Sequence, residues 1–156
     1  MNLKAIRKIC YGIYIIGSKK GDKINGQIAN TAFQITSEPP TLAISINKQN
    51  LTHEFILESK VFSVSILSKE ASMSLIGTFG FKSGRDIDKF KDIKYRIGIT
   101  GSPIILDDTI SYLDCEVIGV TDVGTHTIFI GKVVDCQDLS DAEPMTYAYY
   151  QKIKGG

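Results

Sequence analysis

NGQIANTAFQITSEPPTLAISINKQNLT, running from Asn25 to Thr52, holds four Asn and four Thr among 28 residues, with Gln27, Gln34 and Gln49 between them. A hydrophobic core has no use for so many amides and hydroxyls, because every buried polar group needs a partner. A surface that holds a polar heterocycle and a phosphate does. A single aromatic, Phe33, stands near the middle. Pro39-Pro40 marks a turn, with strand signals on either side at Phe33 to Thr36 and Leu42 to Ile46. A second amide-rich loop follows, Asn47-Lys48-Gln49-Asn50.

Outward from this stretch, strand patterns dominate. Tyr11 to Ser18 is rich in β-formers and runs into a Lys19-Lys20-Gly21-Asp22 turn. In Val61 to Leu67, Phe62, Val64 and Ile66 alternate with Ser63 and Ser65. Ser111 to Val123 sets Leu113, Cys115 and Val117 against Asp114 and Glu116. A turn through Gly124 and a return over Thr127 to Val134 predict a long hairpin. Helical signals are fewer. Asn50 or Thr52 can cap a short helix through Glu58 with Phe55 and Ile56 inward, and Ser68 can cap a second reaching toward Phe79. Asp86 to Phe90 gives a turn or two at most. The sum predicts a mainly β chain, a closed antiparallel barrel or sandwich with a few short flanking helices. Closure is expected because long two-faced strands otherwise leave open edges.

Length and composition narrow the function. The 156 residues suit one domain, 1–156, with room for a real core. Eighteen Lys and Arg against seventeen Asp and Glu give a formal charge of +1, which argues against a nucleic-acid binder and offers no polybasic membrane patch. No apolar run is long enough to span a bilayer as a helix. The basic, apolar start at Met1 to Gly17 imitates a signal peptide, but it leads into Ser18-Lys19-Lys20-Gly21-Asp22 rather than a small-residue cleavage site, so a first strand and turn are expected. Three widely spaced cysteines, Cys10, Cys115 and Cys136, contain no C-x-x-C pair and fit small buried hydrophobes in a reducing cytoplasm. Lys154-Gly155-Gly156 reads as a linker start or a frayed end. Several motifs fail. His53-Glu54 begins a zinc-protease pattern, but position 57 is Leu57; the glycines 77, 80 and 84 match neither a dinucleotide fingerprint nor a P-loop.

The Asn25–Thr52 stretch, together with FGFKSGRDIDKF (Phe79 to Phe90), GTHTIFIGKV (Gly124 to Val133) and EPMTYAYY (Glu143 to Tyr150), resembles the flavin-reductase-like FMN-binding family. It looks most like the flavin domain of high-molecular-weight rubredoxins. The resemblance implies an FMN-binding split β-barrel with Greek-key-like antiparallel strands. Along the isoalloxazine and ribityl chain it implies Gln27, Asn30, Thr31, Ala32 and Phe33. Many relatives carry Trp where Phe33 stands, and this chain has no Trp, so an indole donor is lost. Asn47, Lys48, Asn50 and Thr52, at a strand end before a helix start, suit the phosphate. Thr52 also reads as a cap alone. Ser83 lies in a loop, and by resemblance Lys89, expected on a short helix, meets the phosphate; the alternative is a solvated surface lysine. Arg85 is a weaker basic candidate. His126, in the hairpin turn, is placed near the flavin by the resemblance and could stabilise charge on the reduced ring. Among Tyr147, Tyr149 and Tyr150, packing is the plain reading, with Tyr150 the candidate for the ring edge.

No catalytic dyad stands out, as expected where the cofactor carries the chemistry. The resemblance implies an enzyme that takes hydride from NADH or NADPH and passes electrons to a carrier such as rubredoxin, working as a homodimer. No C-x-x-C pairs follow the flavin motifs, so a separate carrier would act in trans, or the chain is a lone domain. A free-flavin reductase using FMN as substrate and a non-redox ligand-binding barrel remain alternatives.

Overall fold

A computed structural model describes residues 1–155; Gly156, the last of the three residues read as a linker start or frayed end, lies outside them. The strands are β1 (Tyr14–Lys20), β2 (Lys23–Ala29), β3 (Ala32–Ser37), β4 (Pro40–Asn47), β5 (Val61–Leu67), β6 (Tyr95–Ile97), β7 (Pro103–Ile105), β8 (Thr109–Val123) and β9 (His126–Asp138). The helices are α1 (Leu51–Ser59), α2 (Met73–Gly80) and α3 (Tyr147–Lys154), with a short 3-10 segment at Leu3–Lys8. Mainly antiparallel β structure with few helices is what the alternating patterns predict.

Seven strands form one antiparallel sheet in the order β2-β1-β5-β8-β9-β4-β3. Its two edges, β2 and β3, are consecutive in the chain and joined only by Asn30 and Thr31. Two linking residues bridge at most roughly 11 Å between the flanking Cα atoms. The sheet must therefore curl until its ends meet at that corner. The ends do not pair with each other, so the expected hydrogen-bonded closure is not made and the barrel is split. A covalent link at the corner does in part what a ladder would do.

The curl leaves two apolar clusters. Inside it lie Ile16, Leu42, Ile44, Ile46, Phe62, Val64, Cys115 and Phe129, closed by Ile56 of α1. Outside β1, the opposite face carries Ile13, Ile15 and Leu67 against Leu75, Ile76 and Phe79 of α2, Ile105 of β7, Met145 and Tyr150. Strand β1 is thus buried on both faces, as a strand between two layers must be. Ser63 and Ser65, which the alternation puts opposite the barrel interior, are also fully buried. Strand β7 covers them: Ser63 Oγ donates to Pro103 O at 2.5 Å and Ser65 Oγ accepts from Ile105 N at 3.1 Å. Gly124 turns the β8–β9 hairpin at φ +72°, a conformation that favours glycine.

Several local expectations need correction. The segment Lys23–Ala29, to which the sequence patterns assign no strand, is a full strand paired to β1 from Lys20↔Lys23 to Tyr14↔Ala29. Ile24 and Ile28 supply its apolar face, packed against the outer cluster, and the amides between them hid the period. The second helix starts at Met73 rather than after Ser68: Ser68 bridges to Pro144, and Ser72 caps α2 by accepting from Leu75 N at 3.1 Å. Lys89 sits in a turn and not on a helix. The C-terminal tyrosines lie on a helix, α3, capped by Thr146, whose Oγ1 accepts from Tyr149 N. Tyr150 points into the outer cluster, and Tyr147 and Tyr149 pack beside it. Of the cysteines, only Cys115 is a buried hydrophobe; Cys10 and Cys136 are exposed.

Candidate functional site

Strand β2 is a sheet edge, so one of its sides has no neighbouring strand. Two-residue periodicity puts Asn25 and Gln27 on the same face there. Asn25 Nδ2 donates to Thr52 Oγ1 at 2.8 Å and ties the edge to the start of α1. A cleft of about 360 Å³ opens between this edge, the first turn of α1 and the Phe79–Lys89 segment; Gln27, Asn50, Thr52, Ser83, Arg85 and Lys89 line it. A second, of about 290 Å³, continues from it past Asn30, Thr31, Asn47, His126 and Tyr150. The two share Gln27, Ile28 and Asn50 and form one trough.

Charge in the first cleft has one sign. Lys82, Arg85 and Lys89 line it, and no carboxylate does. Lys89 is only 4% exposed, which removes the reading of a solvated surface lysine. Its ammonium donates to Gly26 O at 2.8 Å and Phe79 O at 3.4 Å, tying β2 to the end of α2. No acid forms an ion pair with it among the described residues. Burial without a counter-charge pulls its pKa down from 10.5 to about 8. An anion in the cleft would supply the missing charge.

The helix start beside it is also unfilled. Asn50 is the N-cap of α1, but its side chain makes no capping bond, and the early amides of a helix have no partner within it. Thr52, 1% exposed, is the second residue of α1 rather than its cap, and its Oγ1 accepts from Asn25. Ser83 Oγ accepts from Arg85 N and shapes the facing loop. Gly84 allows that loop to approach: a Cβ there would lie 2.1 Å from Asn25 Oδ1.

Farther along, Gln27 Oε1 is buried and accepts no hydrogen bond among the described groups. Such an orphan acceptor on the wall of a trough matches a ligand N–H. Thr31 Oγ1 donates to Asn30 Oδ1 at 3.0 Å at the corner link. His126 begins β9 opposite Asn47 rather than lying in the turn itself, and its Nδ1 meets Thr125 Oγ1 at 2.9 Å. His53 Nε2 meets Thr127 Oγ1 at 2.8 Å, and burial and then the charge of Lys48 lower the His53 pKa from its usual value. Tyr150 forms part of the far wall, its phenol pKa raised by burial.

Three sequence candidates fall elsewhere. Lys48 Nζ pairs with Asp122 at 2.7 Å on the hairpin and lines neither cleft. Ala32 and Phe33 line a separate apolar concavity of about 300 Å³ with Tyr14, Leu42, Val64 and Leu113. Asn25 and Gln49 belong to the trough although the sequence reading did not choose them. The Ile24–Gly26–Ile28 alternation would have exposed Asn25 as a partner of Gln27, had it been weighed above the amide content.

The chain matches the flavin reductase like domain over residues 6–154. This chain belongs to the flavin reductase-like family. It is 55% identical over 156 residues to the high molecular weight rubredoxin of Moorella thermoacetica, covering all of this chain and 68% of that one. It is 43% identical to the ferric-chelate reductase (NAD(P)H) of Archaeoglobus fulgidus over all of this chain and 92% of that one. Among solved structures, flavin reductase HpaC complexed with NADP+ superposes with a TM-score of 0.79 at 28% identity, over 93% of this chain and 90% of that one. The domain is therefore an oxidoreductase of the flavin reductase type. Among the described residues, no helix is long and apolar enough to cross a membrane.

Proposed function

We propose that residues 1–156 act as one FMN-binding domain that accepts hydride from NADH or NADPH and passes electrons to rubredoxin or a similar one-electron carrier. The observation that carries the FMN reading is Lys89: a buried ammonium without an acid, facing an uncapped helix start. That pair suits a phosphate monoester. Asn50, Thr52, Ser83 and Lys89 would hold the phosphate. Gln27, Asn30 and Thr31 would hold the ring edge and ribityl chain, with Asn47, His126 and Tyr150 at the far end. When bound, the isoalloxazine supplies the hydride and electron chemistry. The protein's part is to bind it, orient it and keep one face open.

The nicotinamide reading rests on likeness to the NADP+-bound HpaC and to the ferric-chelate reductase (NAD(P)H). The carrier reading rests on the 55% identity to a rubredoxin-containing protein. Likeness to the ferric-chelate reductase favours a second acceptor, a ferric chelate, taking electrons from the same trough.

A homodimer belongs to the same reading. Phe33 is 58% exposed and Ile35 45%, on the β3 edge beside the apolar concavity. The outer part of β8 carries exposed Ile118, Val120 and Val123 beyond the reach of β5, which pairs only as far as Glu116. A second copy would cover this surface. The C-terminal tyrosines contribute less than their composition suggests, since they pack inward. Three free cysteines favour a reducing cytoplasm.

The test is direct. The purified protein should be yellow and release FMN on denaturation. NADH or NADPH should bleach it without oxygen, and rubredoxin or a ferric chelate should restore the colour. Recovery of stoichiometric FAD would overturn the FMN reading. A flavin that neither nucleotide bleaches would leave an electron carrier fed by another protein.

A further inference from the structure

The mouth of the trough holds more positive charge than one phosphate needs. Lys82 lines the first cleft, Lys154 ends α3, and neither forms an ion pair among the described residues. Lys154 Nζ lies 5.6 Å from the centre of the Phe81 ring and 5.7 Å from that of Tyr150, so it joins the rims of the two clefts. Phe81, the C-cap of α2, lines the first cleft and is 64% exposed. Deeper in, Lys89 and the α1 start already answer a monoester. The outer cations form a second set, and Arg85 is partly tethered by donating to Gln49 O at 3.4 Å.

An open aromatic face beside unpaired ammonium groups suits a planar base that carries phosphates. The ring offers stacking, and the cations meet the charge. Resting on the reading of a nicotinamide dinucleotide as reductant, we propose that Phe81, Lys82 and Lys154 dock the adenosine end of that dinucleotide. The adenine stacks on Phe81, and the phosphates meet Lys82 and Lys154. The nicotinamide is then left free to reach along the trough toward Gln27. NADPH, with one more phosphate than NADH, gains more from the rim.

The experiment uses the FMN-loaded protein, the Phe81→Leu variant and the double variant Lys82→Gln with Lys154→Gln. Three reductants are compared: NADPH, NADH and N-benzyl-1,4-dihydronicotinamide, which has the hydride-donating ring but neither adenosine nor phosphate. The KM for NADPH should rise roughly tenfold in each variant. In the double variant NADH should lose less than NADPH, and reduction by the benzyl compound and FMN retention should stay as in the parent. Equal slowing with all three reductants, or no change with any, overturns the proposal. A raised KM for rubredoxin with unchanged dinucleotide KM also overturns it and gives the rim to a protein acceptor. ADP-ribose and NADP+ titrated calorimetrically into the same proteins separate this inference from the reductase reading. If no nicotinamide compound reduces the flavin but both ligands bind the parent and not the variants, the reductase reading fails and the rim stands. If neither ligand binds the parent, the rim fails.

Discussion

The two edges of the sheet start from neighbouring sequence and end as opposite kinds of surface. Strand β2 faces a trough lined by amides and cations, while β3, two residues later, borders a concavity of Phe33, Leu42, Val64 and Leu113. Read linearly, Asn25 to Phe33 looks like one wrapping segment around one ligand. In space the chain turns a corner at Asn30–Thr31, and the corner divides two jobs. A sheet edge lacks a neighbour in either case. Polar groups make the first edge a place for a small charged molecule. Apolar groups on the second suit, in the proposed reading, another protein surface.

The sharpest way to break this contrast is to put charge on the apolar edge. Phe33→Asp should dissociate the proposed dimer, at about 2 kcal/mol for each copy of an aromatic anchor that the interface would bury, while FMN stays bound. Sedimentation of the variant beside the parent checks it; an unchanged dimer would free the β3 edge from the interface. A monomeric parent, about 17 kDa with FMN bound, would remove the dimer altogether.

The reciprocal change is Lys89→Met on the polar edge. Loss of a charge-assisted contact should weaken FMN by about 1.5–3 kcal/mol. Riboflavin, which has no phosphate, should bind the variant as it binds the parent. Parallel losses for both ligands would make Lys89 a strut between β2 and α2 rather than a phosphate ligand.

Acidity sharpens the same point. The folded pKa of Lys89 is lowered to about 8 from 10.5, so above about 8 the flavin-free protein sheds that proton while the unfolded chain keeps it. The unfolded state then binds more protons, and this residue's contribution to stability rises with pH up to about 10.5. FMN needs the protonated amine, so its affinity should be level below pH 8 and fall above it, approaching about tenfold per unit. Riboflavin should show no such fall. Fluorescence titrations of both flavins across this range give the answer, and matching curves would count against the assignment.

The smallest effect belongs to Thr52→Val. It removes one neutral hydroxyl that also accepts from Asn25, so FMN should lose about 0.5–1.5 kcal/mol. A calorimetric Kd equal to that of the parent would leave Thr52 as a brace between β2 and α1.

Much of this molecule was legible because its long strands follow simple rules. The Phe62–Val64 alternation marked β5, and Gly124 marked the hairpin, each from local periodicity or turn chemistry. Strand β2 was masked because a binding edge carries amides at positions where an ordinary strand carries apolar groups. Lys89 was identified as a candidate, but its burial was not, since burial there depends on Phe79 and Gly26 arriving from distant parts of the chain. Phe33 shows the opposite case. The resemblance implied shared work with Thr31, whereas in the structure the two line different concavities.

The strand order also carries a timetable. Strands β2, β1 and β5 form one ladder and β4 with β3 another, and among the described residues the only pairings that join them run through β8 and β9. A chain emerging from the ribosome therefore carries two ladders with no strand pairing between them until residue 109 and beyond has appeared. The trough uses walls from both, with Gln27 from one side and Asn47 from the other. One hairpin, β8 with β9, thus stitches together the two ladders that supply the walls of the trough.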